Sequence, residues 1–370
     1  MEKLADEIRA LITKRGMTQT DLAEGSGTSK RLVSDFFSGK SDPKFLGVLN
    51  IVRFLFPDSE DEKMEQYCRE VHKKNAVISA MEYASRTCKD ELLSELIDKF
   101  AGVSTIKEAA RVYELDLLNK QGEHQKAIDG CRLLLGQTNS SVLRLKVELI
   151  ESKAFYDMGE KLVMLKTVNR MEEKLEELGE GYLKESYKLT YYSVAARAHL
   201  YARGDNDTAI IYALRAIKAK STISPIQTAE MYHLIGQAHL TSCVDTSLEY
   251  LNKAVEIYEA QGNVEWANVI KNNDIPFIRN INNEVFDFEE CYDKGEWAHQ
   301  LLIRGQKEEA KEVLSSLPQL NPFEVMYMGE ACGDVMLLIK AHSEITKTGN
   351  AFFSKIIESK INKLVKGITF

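Results

Sequence analysis

Apolar positions recur along this chain at the three-to-four-residue spacing of amphipathic helices almost from end to end. Leu4, Ile8, Leu11 and Ile12 share one face of a first helix, which Gly16 ends. The run MTQTDLAEGSGTSKRLVSDFFSGKSDP follows. In it Thr18 is placed to N-cap a short helix, with Asp21 at the third position favoured by the helix dipole. Leu22 and Ala23 face inward, and Gly25 and Gly27 are expected to break the helix, since glycine accepts the left-handed backbone of a tight turn. Thr28 is expected to cap the next helix, over 29–38, with Val33 and Phe36 on its buried face and Gly39 as its stop. Asp42-Pro43 then reads as a cap with proline at the first helical position, opening a fourth helix through Leu46, Leu49, Val52 and Leu55.

The helical period continues through residues 57–370, now punctuated by glycine rather than proline. Only six prolines occur, with none between Pro57 and Pro225, and proline costs about 3 kcal/mol inside a helix. Ser59 and Glu62 have the spacing of a capping box. Aligning the glycines exposes a repeat: GEHQKA at 122–127, GDNDTA at 204–209 and GQKEEA at 305–310 each place alanine five residues after glycine. Weaker copies start at Gly159 and Gly349, and a degenerate one has Ser242, Ser247 and Ala254 in the matching places; GNVEWA at Gly262 also fits but stands only 20 residues from that copy. Glycine would end the turn of a helical hairpin, alanine would let its helices approach, and stacked hairpins would bury the remaining face. Ser224-Pro225 and Asn321-Pro322 look like further caps that open hairpins. The expected fold is all-α: a helix-turn-helix domain over 1–56, a helical connector over 57–110, and a degenerate solenoid over 111–370.

Composition changes the picture in one respect. The net charge of −8 argues against a protein that coats nucleic acid, yet it is unevenly spread: residues 1–56 carry +2 and the remainder −10. A DNA-reading head on an acidic body fits that division. The apolar run at 47–56 contains Asn50 and Arg53 and is too short to span a membrane, and the charged N-terminus lacks a signal-peptide core. The six cysteines form no paired spacing, as expected of single thiols in the cytoplasm. No phosphate-loop, dinucleotide, zinc-protease or serine-hydrolase motif is present, so neither an enzyme nor a cofactor or metal site is expected.

Ala23, Gly27, Val33 and Phe36, at their relative spacing, resemble the helix-turn-helix of the lambda-repressor/XRE-like family. Ser29, Lys30, Arg31 and Ser34 then lie exposed on the N-terminal half of a recognition helix, the half that meets base edges in the major groove. Arg31 is the expected guanine contact, because one guanidinium can bond O6 and N7 together. Gln19, at the start of the preceding helix, and Lys40, beyond the recognition helix, are expected at phosphates, and Thr18 is a further candidate DNA contact. One such module buries little surface, so a homodimer on two half-sites of a double-stranded operator is expected.

The glycine–alanine skeleton resembles the tetratricopeptide repeat, whose period is about 34 residues. Such arrays commonly bind extended peptides, and Asn and Gln side chains suit peptide backbones because they both donate and accept. Arg197, Gln227, Gln237, Asn268, Asn272, His299 and Asn321 are the candidate contacts. Repressor-like head, connector and repeat body together resemble the quorum-sensing peptide receptors of Gram-positive bacteria and their phages, and more closely the phage arbitrium receptors, the AimR family. NIVRFLFPDSEDEKMEQYC (50–68), SAMEYA (79–84), LIGQAHL (234–240) and EWAHQLLIRGQKEEAKEVL (296–314) carry the likeness. His299 follows Glu296 and Ala298 as in the family pattern, Gln237 stands where the family tends to have Asn, and Asn321 falls near a family Asn. The family's arginine before LIGQAHL is replaced by Ile226 and Gln227. The resemblance implies a cytoplasmic homodimer that activates a lysis-promoting gene until a short signal peptide of about six residues binds the array. The alternative from another class is an adaptor whose array binds a protein partner, its head serving only dimerisation.

Overall fold

The computed structural model describes residues 2–38, 44–219, 223–287, 289 and 292–367, and among these no strand occurs. The fold is all-α, as the periodicity predicts. Gly39, Lys40 and the Asp42-Pro43 cap lie outside the described residues. Two compact units emerge: Met1–Ala154 with Met171–Lys188, and Phe155–Arg170 with Leu189–Phe370.

The first unit opens with helices Glu2–Lys14, Gln19–Gly25, Lys30–Ser38 and Phe45–Leu55. Thr18 caps the second in a complete capping box: its hydroxyl accepts from the Asp21 amide at 3.2 Å, and the Asp21 carboxylate accepts from the Thr18 amide at 2.8 Å. The third helix starts one residue later than expected. Its cap is Ser29, whose hydroxyl accepts from the Leu32 amide at 3.2 Å, whereas the Thr28 hydroxyl lies 2.8 Å from that of Ser26. The two turn glycines also differ in role. Gly27 adopts φ +65°, but Gly25 is the last helical residue, and a Cβ there would sit 2.3 Å from the Phe54 ring. Gly25 makes room for the Phe54 ring rather than supplying a left-handed backbone angle.

Beyond Leu55, a 3-10 turn Pro57–Ser59 leads into helices Glu60–Glu70, Lys74–Arg86, Asp90–Phe100, Lys107–Lys120 and His124–Gln137. Ser59 forms no side-chain cap, contrary to the Ser59/Glu62 pattern. The 3-10 turn already carries the chain into the helix and uses the Ser59 amide, which bonds to the Phe56 carbonyl at 3.1 Å. The borders expected at 56 and 110 do not divide the core: Leu4, Ile8, Leu22, Val33 and Val52 belong to the same apolar cluster as Tyr67, Met81, Leu93 and Val112. Phe45 joins these layers, its ring 4.6 Å from that of Tyr182, 5.7 Å from Tyr67 and 6.0 Å from Tyr83. Burying one such ring is worth about 1.5–3 kcal/mol before the ring pairs are counted.

The second unit is a run of helical hairpins. Gly159, Gly204, Gly262, Gly305 and Gly349, each at a predicted repeat start, take the left-handed φ of an interhelical turn. The alanines of the skeleton, Ala209, Ala216, Ala254 and Ala310, are fully buried. Ser247, standing for alanine in the degenerate copy, is also fully buried, and its hydroxyl donates to the Gly236 carbonyl at 2.7 Å. Both proline caps form as predicted: Ser224 with Gln227 opens Pro225–Ala238, and Asn321 with Glu324 opens Pro322–Cys332. One hairpin lacks the glycine–alanine signature. Gly333, φ +66°, joins Pro322–Cys332 to Val335–Lys347, but Leu338 occupies the position expected to hold alanine. The small residue sits on the opposite helix instead, where a Cβ on Gly329 would meet Leu338 at 2.2 Å.

Candidate functional sites

In the head, Leu22, Ala23, Val33, Phe36 and Phe37 are buried, which fixes the second and third helices against the core and turns their other face outward. Thr18, Gln19, Ser29, Lys30, Arg31 and Ser34 are all exposed on that side. Two of these hydroxyls already act as helix caps, so Thr18 and Ser29 fix helix starts whatever else they touch. Lys30 reaches Glu24 at 4.0 Å, and Arg31 reaches Asp35 at 3.7 Å while 91% of its side chain remains accessible. Surface pairs of this kind are worth about 0–1 kcal/mol. Either cation can therefore leave its carboxylate for a phosphate or a base edge at little cost. Arg9 is engaged elsewhere, donating to the Phe37 carbonyl and lying over the Phe37 ring. Lys40, the remaining candidate, lies outside the described residues.

In the second unit, the candidate peptide contacts separate into three groups. Arg197 and Gln237 join one polar network. Arg197 pairs with Glu230 at 2.8 Å and lies 5.5 Å from the Tyr156 ring. Burial works against the Arg197 charge, but Glu230 and the neighbouring tyrosines outweigh it and push its pKa up. His233, one turn after Glu230, lies 2.8 Å from the Asp274 carboxylate and 3.2 Å from Gln237, which accepts from the Tyr201 hydroxyl. Two π-helical turns border the network: Ala198–Arg203, following Arg197, and Ile270–Asp274, which contains Asn272. Such turns are frequent at functional sites. Asn268 is exposed on the short helix just before the second of these turns.

Gln227 and Asn321 form a second group, and both are helix-capping residues. The Gln227 carbonyl accepts from the Ser224 amide at 3.2 Å, and Asn321 accepts from the Phe323 and Glu324 amides at 2.9 and 3.1 Å. His299 stands apart: it is 1% exposed and stacks on Tyr327 with ring centroids 4.2 Å apart. Sequence reasoning missed Glu230, Asp274, Tyr201 and Tyr156. A usable signal existed, because Arg197–Glu230, Tyr201–Gln237 and His233–Asp274 are 33, 36 and 41 residues apart, close to the repeat period. Polar residues one period apart meet across neighbouring hairpins. Among the described residues, no group of three His, Cys, Asp or Glu is placed to hold a metal ion, and no helix is long and apolar enough to cross a membrane.

Comparison with known proteins agrees with this architecture. A family model described as AimR transcriptional regulator-like matches residues 60–363, and a helix-turn-helix model matches residues 8–55. The AimR transcriptional regulator of Bacillus phage SPbeta is 26% identical over 297 residues, covering 76% of this chain and 73% of its own length. The SPbeta prophage-derived uncharacterized protein YopK of Bacillus subtilis (strain 168) matches with the same identity and coverage. Among solved structures, SeMet-phAimR superposes with a TM-score of 0.72 at 21% identity, over 98% of this chain and 97% of that one. The structure of phAimR-Ligand gives 0.67 at 22% identity, over 86% and 96%. At these identities the structural likeness establishes the fold.

Proposed function

The chain belongs to the AimR transcriptional regulator-like family, and from that premise we propose that it is a peptide-responsive DNA-binding regulator of the phage lysis–lysogeny decision. Its head, residues 1–56, reads a double-stranded operator, and a homodimer sets two heads on two half-sites in the host cytoplasm. Residues 57–110 connect the head to an array, residues 111–370, that takes a short signal peptide of about six residues. Peptide binding switches activation off. The observation that carries the reading is the recognition helix: four polar residues, Ser29, Lys30, Arg31 and Ser34, stand exposed on a helix whose opposite face is fully packed.

The Arg197–Glu230–His233–Asp274 network supports the peptide half of the proposal. It supplies both charge signs and an amide at the polar positions of neighbouring hairpins, which can satisfy a peptide backbone and orient its side chains. Regulation then needs only that the peptide prefer one arrangement of the two heads over another. A gel shift on DNA beside its own gene, repeated at rising salt, tests the first half. A salt-sensitive shift lost in the Lys30→Ala/Arg31→Ala double variant supports the recognition helix. No shift at low salt would favour the adaptor reading, with the head used for dimerisation.

A further inference from the structure

Away from the Arg197 network, the C-terminal hairpins border an open cavity of about 320 Å³. Its lining includes His299, Lys307, Lys360, Lys363, Glu330 and Asn283. Three ammonium groups against one carboxylate give this wall a net positive charge inside a body that is strongly acidic. Only one of the lysines is neutralised among the described residues: Lys360 spans from the last helix to Glu330, at 3.0 Å from one carboxylate oxygen and 3.2 Å from the other. Lys307 and Lys363 are exposed and have no carboxylate partner there. His299 adds a second, independent observation. It is almost fully buried, yet neither ring nitrogen has a hydrogen-bond partner, and its Nδ1 lies 3.7 Å from Glu296, beyond bonding distance. Buried polar atoms left in this state call for an explanation, and the cavity that the His299 ring lines is the space beside them that an occupant could fill.

We propose that this cavity is a binding site for a small phosphate ester, separate from the peptide site. The lining argues for phosphate over carboxylate. Lysine ammoniums are compact point charges that suit a phosphate dianion, and Lys307 and Lys363, the two without a carboxylate partner among the described residues, match its two charges where a carboxylate would neutralise only one. Leu302, Ile303 and Leu364 form an apolar wall against which the ester's organic part packs. The ligand links three elements, Lys294–Ile303, the start of Lys307–Ser315 and the last helix Ala351–Gly367, so its presence stiffens the C-terminal end of the unit.

The test uses the full chain carrying Lys30→Ala/Arg31→Ala, so that phosphate binding at the head does not interfere. Inorganic phosphate is titrated at constant ionic strength while the His299 ring carbon–proton resonance is followed, assigned by its loss in His299→Gln. The expected result is a saturable shift whose affinity falls at least tenfold when Lys307→Ala and Lys363→Ala are added. Both lysines are exposed, so far-UV circular dichroism should stay unchanged. A non-saturating response, or equal affinity in the lysine double variant, overturns the site. Equal affinity for acetate in place of phosphate overturns the assignment to phosphate.

Discussion

Replacing Lys146 by methionine should destabilise the first unit selectively. The Lys146 ammonium is buried between two carboxylates, 2.8 Å from Glu82 and 2.9 Å from Asp116, which are themselves 0% and 2% exposed. Glu82 also accepts from the Tyr113 hydroxyl at 2.9 Å and from Ser186, and Asp116 accepts from Ser85. The variant keeps these neutral donors and removes the one ammonium that touches both buried carboxylates. Breaking a buried pair from one side costs about 3–5 kcal/mol, a large share of the ~5–15 kcal/mol of a typical domain.

The pH dependence follows from the same contacts. Burial alone would raise the Asp116 carboxyl, but Lys146, Lys153 and Lys120 reverse this and hold it well below the ordinary range. Its stabilisation is therefore complete above about pH 4, the unfolded carboxylate value, and fades only as pH falls below that. In Lys146→Met the largest of these opposing charges is gone, so burial carries more weight, the Asp116 carboxyl shifts upward, and the deficit grows as pH rises through that carboxyl's titration. Both tryptophans, Trp266 and Trp297, lie in the second unit. Urea unfolding followed by circular dichroism should thus show an early transition while tryptophan fluorescence keeps its midpoint. A loss under about 1 kcal/mol, a deficit independent of pH, or an equal shift of the tryptophan signal would refute the reasoning.

Three further outcomes are expected. Arg31→Ala should cost about 1–3 kcal/mol of operator affinity and relax specificity at one base pair, read by anisotropy on a panel of operator variants; a uniform loss on every sequence would make Arg31 a phosphate contact. Gly236→Ala should destabilise the second unit by about 1–3 kcal/mol in tryptophan-detected unfolding, because its Cβ would lie 2.8 Å from Leu251 and 3.1 Å from the Ser247 carbonyl oxygen. Asn321→Ala should lose about 1 kcal/mol of stability as a broken cap and leave peptide affinity unchanged in calorimetry; a selective loss of affinity would make it a peptide contact as well as a cap.

Much of the fold was legible because its signals are local. Thr18, Ser224 and Asn321 cap where their spacing says they should, and the repeat glycines turn where the alignment places them. Failures arose where geometry depends on a partner remote in sequence. Leu338 hid a hairpin because its compensating glycine, Gly329, is on the facing helix. Ser59 looked like a cap until the Pro57 turn consumed its amide. The exposed face of the recognition helix was readable from the helical wheel, since exposure follows from which residues are buried. The polar network was only half readable. Arg197 and Gln237 were found by type, but Glu230 and Asp274 meet them only through the stacking of hairpins. His299 carried a pattern without its setting, and nothing in the sequence announced that it would be buried against Tyr327.

The central claim, that DNA binding by the head answers to a peptide in the array, is tested most directly by one titration. Labelled DNA from beside the gene is bound by the full chain, and synthetic hexapeptide from the short peptide gene expected to follow it is added. The account predicts saturable release of the DNA or a saturable change in how it is bound, abolished when Arg197 and His233 are replaced by alanine. Saturating peptide that binds the array and leaves DNA affinity and the form of the complex unchanged would contradict it.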